Sequence, residues 1–304
     1  NLIDIVSVFK EALAAGEMEQ IEFYKKHGFS IISHLLMFSS PSQISLMLYQ
    51  RFFEIYEILL SEDIKKDMFK NILMNFDIWI TSEHNDHMRI LVHWRTLIPK
   101  YDAFFIEFFP FSRLLELMRI YYWYSPIEKD KIRGDKVIQV DLKNDYNNNS
   151  IPHRERNPNL KISECRSMMF NILYEISQMQ FLDDDFSTLM DHCLNIRDEK
   201  QRIDLLGFMN MIANADFLPF EQIHDTMQTL SHISVLLHSD YKTVISTVLN
   251  IICSVHMHCD YHKRTTISLN QHLDAVMKNI DFCNMNTDLL NELLILINQK
   301  VYSL

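Results

Sequence analysis

The stretch SPSQISLMLYQRFFEIYEILL, residues 40–60, carries the pattern that decides the fold. Its apolar residues recur every three or four positions, at Ile44, Leu48, Phe52, Ile55 and Leu59. That spacing places them on one face of an α-helix. The pair Ser40-Pro41 predicts the start of this helix, because serine is a favoured N-cap and proline fits the first helical turn.

Glycine and proline are scarce along the whole chain. The 304 residues include 4 glycines and 7 prolines, whereas average usage is about 7 % and about 5 % of a chain. Dinucleotide-binding sheets, β-barrels and propellers need glycine at tight turns and close backbone approaches. The composition therefore predicts an all-α fold and argues against those classes.

Helical spacing continues beyond the first stretch, in segments joined by short polar links. These segments are centred on residues 69–79, 88–98, 111–122, 168–179, 189–193, 206–212, 223–230, 244–255, 273–280 and 290–297. The acidic run Asp183–Asp185 predicts a further helix start, since carboxylates are favoured at the N-terminal end of the helix dipole. A chain built of such helices predicts an armadillo/HEAT-like α-solenoid of degenerate repeats, with a period of about 40–47 residues.

One polar segment interrupts the pattern at residues 126–160. It contains Pro126, Gly134, Pro152, Pro158 and the run NDYNNNS at 144–150. We interpret it as an insertion loop, because a connection this long inside a compact domain is uncommon unless it is functional or disordered. The predicted organisation is a solenoid half at 1–125, the insertion at 126–160 and a second half at 161–304.

The charge and the cysteines indicate the compartment and the kind of partner. The chain carries 29 basic and 40 acidic side chains, a formal net charge of −11. Nucleic acids and anionic membranes are bound through dense Lys/Arg patches, so the charge argues against both partners. No apolar run approaches the roughly 18 residues of a membrane span. The 5 widely spaced cysteines fit reduced thiols, so we expect a cytoplasmic protein.

Three stretches resemble the armadillo-like region of the BEACH-domain family, the neurobeachin and beige proteins. They are SIISHLLMFSSPSQISLMLYQRFFEI at 30–55, FKNILMNFDIWI at 69–80 and FSRLLELMRIYYWY at 111–124. Residues 162–212 are similar to the region that follows in those proteins. The resemblance implies a non-enzymatic scaffold segment, without a cofactor, of a large protein acting in vesicle trafficking and membrane dynamics.

The resemblance also implies the partners. They would be other proteins, such as trafficking factors, and the remaining modules of the parent chain, through which the segment would be peripheral to membranes. A chain that begins at Asn1 without methionine fits a piece cut from a longer protein. An alternative resemblance, to the GTPase-binding armadillo module of formins, implies a small GTPase in its GTP-loaded form as the partner.

A second alternative is a helical metalloprotein that uses the run CSVHMHCDYH at 253–262. Its candidate ligands are Cys253, His256, Cys259 and His262, and zinc is bound by thiolates and imidazoles of this kind. On a helix His256, Cys259 and His262 would form one stripe. Their spacing matches no common zinc motif, so the polar end of a helix over 244–258 is the favoured interpretation.

Two further groups of side chains have both a functional and a packing interpretation. In SEHNDH, residues 82–87, the functional interpretation is a metal or acid–base site, but a helix start with Ser82 as N-cap is simpler. The run Tyr121, Tyr122, Trp123 and Tyr124 closes a predicted helix. Consecutive residues wrap round a helix, so at least one should reach the surface, where it could anchor a protein partner.

Packing is nevertheless the favoured interpretation of that aromatic run, because large aromatic residues are used heavily in ordinary cores. Trp79 and Trp94 lie on apolar stripes and are expected in the core. No catalytic residues are predicted.

Overall fold

The computed structural model describes residues 2–122, 156–196, 199–215, 233–238 and 242–262, with single helical positions at 278, 291 and 294. Within these residues the chain forms α-helices, 3-10 turns and one π-helical turn, and no strand. The predicted all-α fold class is therefore confirmed. Two compact units divide the described residues: the first holds 2–122 and 156–176, and the second holds those from 177 onward.

The helices of the first unit fall into successive groups of three. The first group is α1 (Leu2–Ala14), α2 (Glu17–Lys25) and α3 (Gly28–Met37). The second is α4 (Leu46–Ile58), α5 (Glu62–Met68) and a π-helical turn (Phe69–Leu73) that leads into the short α6 (Phe76–Trp79). The third is α7 (His84–Leu97), α8 (Asp102–Phe108) and α9 (Phe111–Tyr122). A further helix, α10 (Ile162–Met179), begins in this unit.

Hydrogen bonds between neighbouring groups join residues that are separated by a nearly constant interval. Side-chain pairs at an interval of 44 residues are Lys10–Glu54, Tyr49–His93 and Asp77–Tyr121. Intervals of 40 to 42 residues separate Gln20–Leu60, Leu46–Asp86, Lys66–Glu107 and Ser33–Asn75. The groups are therefore structural repeats, and their interval falls within the range of about 40–47 residues known for armadillo and HEAT repeats.

The first helices of these repeats, α1, α4, α7 and α10, pack side by side, and we call them the first-helix row. α1 contacts α4, and α4 contacts α7. Two ion pairs join α7 to α10, His84–Glu164 at 3.0 Å and Arg95–Glu175 at 2.6 Å. Both pairs are separated by 80 residues, and they follow each other in the same order along both helices. α7 and α10 are therefore parallel, as equivalent helices of a stacked repeat must be.

The core of the first unit is strongly aromatic. Phe69 has no solvent exposure, and its ring contacts those of Tyr56, Tyr101, Phe104, Phe105 and Phe109. Trp79 and Trp94 are likewise fully buried, so their predicted place in the core is confirmed. Rings of this size account for much of the apolar area that a small repeat can bury.

The continuous helix predicted over 69–79 is wrong, because the chain breaks at Met74 and Asn75. Asn75 is the N-cap of α6, and its side-chain oxygen accepts a hydrogen bond from the Asp77 N–H at 3.0 Å. At this break the Leu73 carbonyl loses its helical partner, and the Ile72 carbonyl keeps a long backbone hydrogen bond, from Asn75 N at 3.3 Å. An indole N–H group donates to each of these carbonyls. Trp79 donates to Ile72 O at 2.7 Å, and Trp94 donates to Leu73 O at 3.0 Å.

Two predicted helix caps are also wrong. Ser40-Pro41 does not begin α4, because Pro41–Gln43 forms a 3-10 turn and the helix starts after Ser45. The Ser45 hydroxyl accepts a hydrogen bond from Leu48 N at 3.3 Å and caps the helix. Ser82 is not the N-cap of α7. Its hydroxyl donates to Trp79 O at 2.6 Å, and α7 begins after Glu83.

The chain returns to the first unit close to the end of α9. Arg156 donates to Tyr121 O at 3.2 Å, and Arg166 donates to Tyr122 O at 3.1 Å. Asn157 N donates to Ile80 O at 3.0 Å. Most of the predicted insertion, residues 126–155, lies outside the described residues, so the division into 1–125, 126–160 and 161–304 stays a prediction. Within the structure, residues 156–176 belong with the first unit.

This anchoring predicts the outcome of limited proteolysis. Trypsin should cut first between residues 126 and 155, where the sequence predicts a loop. The two fragments should still co-elute in native buffer, because α10 stays attached to α7 and α9 through the contacts above. In denaturant they should separate. Fragments that part in native buffer, or first cuts within α1 to α9, would contradict the predicted insertion and its anchoring.

The second unit contains α11 (Asp183–Asn195), α12 (Glu199–Ala213), a 3-10 turn (Ser234–His238) and α13 (Lys242–His262). The helix start predicted at Asp183–Asp185 is confirmed, and the Asp185 carboxylate accepts a hydrogen bond from Leu182 N at 2.9 Å. α12 packs on α13, and Ser254 contacts Asn214 at an interval of 40 residues. The helices predicted at 223–230, 273–280 and 290–297 lie essentially outside the described residues.

Candidate functional site

The first-helix row contains an open groove between α4 and α7. The groove has a volume of about 550 Å³. It is lined by Leu46, Tyr49, Gln50, Phe53, Glu54, Arg89, Val92, His93 and Thr96. The residues from α4 and those from α7 each recur at three- or four-residue steps, so each helix contributes one continuous face.

A hydrogen bond at the start of both helices fixes the width of the groove at one end. The Asp86 carboxylate, in the first turn of α7, accepts a hydrogen bond from Leu46 N at 3.0 Å. One side chain therefore satisfies a free N–H of α4 and holds the two helix starts together. Further along, Tyr49 Oη and His93 Nδ1 share a hydrogen bond of 3.0 Å, and the Phe53 and His93 rings meet edge to face at 4.6 Å.

The floor of the groove carries no charge at neutral pH. Burial, with a smaller contribution from the Lys100 ammonium, lowers the pKa of His93 below its ordinary value of 6.5. Burial raises the pKa of the Tyr49 phenol. Both side chains are therefore neutral at pH 7. With Leu46, Phe53 and Val92 they make a surface that favours apolar contact.

The rim carries charged side chains. Glu54 accepts hydrogen bonds from Lys10 and Arg51, each at 2.8 Å. These two partners, Lys10 first, hold the pKa of the Glu54 carboxyl below its ordinary value. Across the groove Arg89 is exposed, and within the part of the chain that the structure describes its guanidinium makes no ion pair. An ionic partner from outside the first unit could therefore reach it.

Exposed apolar side chains accompany the groove. Val92 of α7 is 45 % exposed, and Met47 at the start of α4 is 57 % exposed. Apolar side chains this accessible, grouped with a concave surface and a charged rim, are typical of protein-interaction sites.

A second exposed apolar surface lies on α3 and has a different character. Ile31, Leu35 and Phe38 are exposed on one stripe of this helix. The positions 42 residues after Ile31 and Phe38 are Leu73 and Ile80, and both are fully buried. The stripe therefore matches buried residues of the next repeat at these two positions, whereas the position that corresponds to Leu35 is the partly exposed Asp77.

The predicted aromatic anchors divide into two pairs. Tyr121 and Tyr122 are buried. Tyr121 donates to the Asp77 carboxylate at 2.6 Å, and its ring stacks on that of Phe76. These contacts favour the packing interpretation for this pair. Trp123 and Tyr124 lie outside the described residues, so their role as anchors stays a prediction.

The histidines of the predicted acid–base site at 82–87 make structural contacts with neighbouring helices. His87 is fully buried and shares hydrogen bonds with Trp79 O at 2.9 Å and with Tyr122 Oη at 2.7 Å. His84 pairs with Glu164 of α10. The histidines of this run therefore fix the junction of α7, α9 and α10.

The candidate metal ligands cannot be assembled from the described side chains. α13 extends through His262, but the side chains of Cys253, His256, Cys259 and His262 lie outside the described part of the structure. Among the residues that are described, no group of three or more His, Cys, Asp or Glu could hold a metal ion. The zinc alternative stays an untested prediction.

The groove was missed from sequence because its residues fall beside the apolar stripes that predict the helices. The α7 stripe runs through Leu91 and Trp94, and Val92 lies next to it. Val92 is the residue that could have indicated the groove from the sequence, because it is apolar but lies off the buried stripe of its helix. Arg89 carries no sequence signal, since single arginines on helix surfaces are common.

Over the described residues, no helix has both the length and the apolar composition that crossing a bilayer requires.

Stacked repeats with an open groove define the class of protein as an α-solenoid, whose repeats present extended binding surfaces. Residues 2–300 match the family described as "Neurobeachin/BDCP, DUF4704 alpha solenoid region". The chain therefore belongs to the neurobeachin/BDCP α-solenoid family, and the resemblance to the BEACH-domain proteins is confirmed. No curated protein and no solved structure gives a significant match.

Proposed function

We propose that this solenoid is a non-enzymatic scaffold segment that binds a partner protein in the groove between α4 and α7. It would act within a larger BEACH-family protein of the cytoplasm, in vesicle trafficking and membrane dynamics. The observation that carries the proposal is the groove itself, with an uncharged floor, an exposed Val92 and, on the rim, an exposed Arg89 that has no ion pair among the described residues.

The family supports the scaffold role, since a solenoid of stacked repeats offers a long surface for protein partners. Three side chains with shifted pKa values in this unit support it as well. His87 and Tyr122 hydrogen-bond each other and are fully buried, and Glu54 pairs with Lys10 and Arg51. Their pKa values follow from structural contacts, which favours a structural role for them over a catalytic one.

An affinity capture with groove variants tests the proposal. The wild-type chain would be the bait in host lysate, beside Val92→Asp, which places a charge on the groove floor. Met18→Asp is the matched control, because Met18 is 74 % exposed on α2 and does not line the groove. We expect the same proteins on the wild type and on Met18→Asp, and an at least about tenfold lower yield on Val92→Asp.

Capture in the presence of a non-hydrolysable GTP analogue separates this proposal from the formin-type alternative. Proteins held equally with and without nucleotide support the scaffold. A small GTPase held only with the analogue would favour the alternative. Proteins retained equally by Val92→Asp would show that the groove is not the binding site.

A further inference from the structure

We propose that the occupant of this groove is an amphipathic helix of a partner protein, with apolar residues on the floor and acidic residues facing the rim. This inference rests on the proposed function, because it assigns a chemical class to the partner of the same site.

The walls of the groove favour a helix over a peptide that binds by adding a strand to a sheet. Both walls are α-helices, whose backbone N–H and C=O groups are already bonded within the helix. A peptide that adds a strand gains its affinity from backbone bonds to an open sheet edge, and the described residues contain no strand that could offer one. A helix instead gains its affinity from side chains laid into an apolar valley.

The length of the groove sets the size of the contact. Its lining runs from Leu46 to Glu54 on α4 and from Arg89 to Thr96 on α7. At a rise of about 1.5 Å per residue, these stretches are about 11–12 Å long, roughly two helical turns. A bound helix therefore offers anchors at positions i, i+3 or i+4, and i+7. Phe53 and Val92 form the apolar surface that would receive them.

The charges around the groove select acidic partners. The cations at the groove and its rim are Lys10, Arg51, Arg89 and Lys100. The carboxylates there are Glu54, which is paired twice, and Asp86, which is bonded to Leu46 N. Cations are thus in excess locally on a chain with a net charge of −11. Within the described residues neither Arg89 nor Lys100 makes an ion pair, and a carboxylate opposite Arg89 would complete the match.

A display selection with a defined probe tests this assignment. The probe is a library of random 16-residue peptides, selected on the wild-type chain. We expect enriched peptides with apolar residues at helical spacing and an excess of Asp and Glu. Fluorescence anisotropy of a synthetic winner should give affinities about tenfold weaker for Val92→Asp and for Arg89→Glu, and unchanged for Met18→Asp.

Reversing the charges on both sides of the contact tests the pairing of Arg89 with a peptide carboxylate specifically. Exchanging the peptide carboxylate that faces Arg89 for lysine should weaken binding to the wild type and restore binding to Arg89→Glu. Enriched peptides that are basic or lack helical spacing would overturn the inference. The same holds for an empty selection, for winners that bind Val92→Asp equally well, and for Val92-dependent self-association of the chain in sedimentation.

The inference and the proposed function fail in distinguishable ways. If captured proteins depend on Val92 but the selected peptides are neither helical nor acidic, the groove is a docking site for another kind of segment. If neither captured proteins nor peptides depend on Val92, the groove is not the docking site at all.

Discussion

Replacing Trp79 with alanine should lower the free energy of unfolding of the first unit by about 3–5 kcal/mol. The Trp79 ring is fully buried and meets the Tyr49 ring edge to face at 5.1 Å. Its indole N–H donates to Ile72 O at 2.7 Å, so the substitution leaves a cavity and removes the shorter of the two hydrogen bonds that this carbonyl accepts. Thermal and urea unfolding monitored by circular dichroism would measure the loss.

Met18→Ala is the control for this substitution, because Met18 is exposed on α2. Its effect should stay within about 0.5 kcal/mol, the usual range for surface positions. A loss below about 1 kcal/mol for Trp79→Ala would contradict the role of this ring in closing the break after the π-helical turn.

Acidification should destabilise the first unit through His87. Burial, with a smaller contribution from His84, lowers the pKa of His87 from 6.5 to about 4. Trp79 O can only accept a hydrogen bond, so Nδ1 carries the proton and the neutral ring accepts from Tyr122 Oη at Nε2. Between pH 6.5 and pH 4 the unfolded chain therefore binds a proton that the native state excludes.

The sign and size of this effect follow from proton linkage. Stability falls as the pH falls whenever the unfolded state binds more protons. For His87 the loss begins near pH 6.5 and is complete near pH 4, and at about 1.4 kcal/mol per pKa unit it amounts to about 3 kcal/mol.

Urea unfolding of the wild type and of His87→Gln across this pH range isolates the histidine from the many carboxylates. The variant should lose about 3 kcal/mol less than the wild type between pH 6.5 and pH 4. If the variant does not fold, an NMR titration of the wild-type ring decides, and the ring should remain neutral at pH 5. Equal pH dependence, or a ring that titrates near pH 6.5, would contradict the buried assignment.

The sequence predicted the helices and their repeat class because both depend on the spacing of apolar residues. The stripe through Leu48, Phe52 and Ile55 is buried as expected. The break at Met74–Asn75 was not predictable, because it depends on indole donors that reach carbonyls 7 and 21 residues away. Local periodicity contains no information about such contacts.

The candidate site was harder to predict from the sequence, because it too depends on contacts between residues that are far apart in the chain. A groove exists only once α4 and α7 lie side by side, and the Asp86–Leu46 bond that aligns them spans 40 residues. Four consecutive aromatic residues at 121–124 stand out in the sequence. In the structure, Tyr121 and Tyr122 pack inward onto Phe76 and His87. Tertiary contacts decide which apolar side chains remain at the surface, as Val92 does.

Hydrogen exchange of the chain, alone and bound to a protein captured on it, tests the central claim most directly. If the groove is the docking site, amides of α4 and α7 should exchange more slowly in the complex, while those of α2 should be unchanged. Protection confined to other elements, such as the α3 stripe, with α4 and α7 unaffected, would contradict the account.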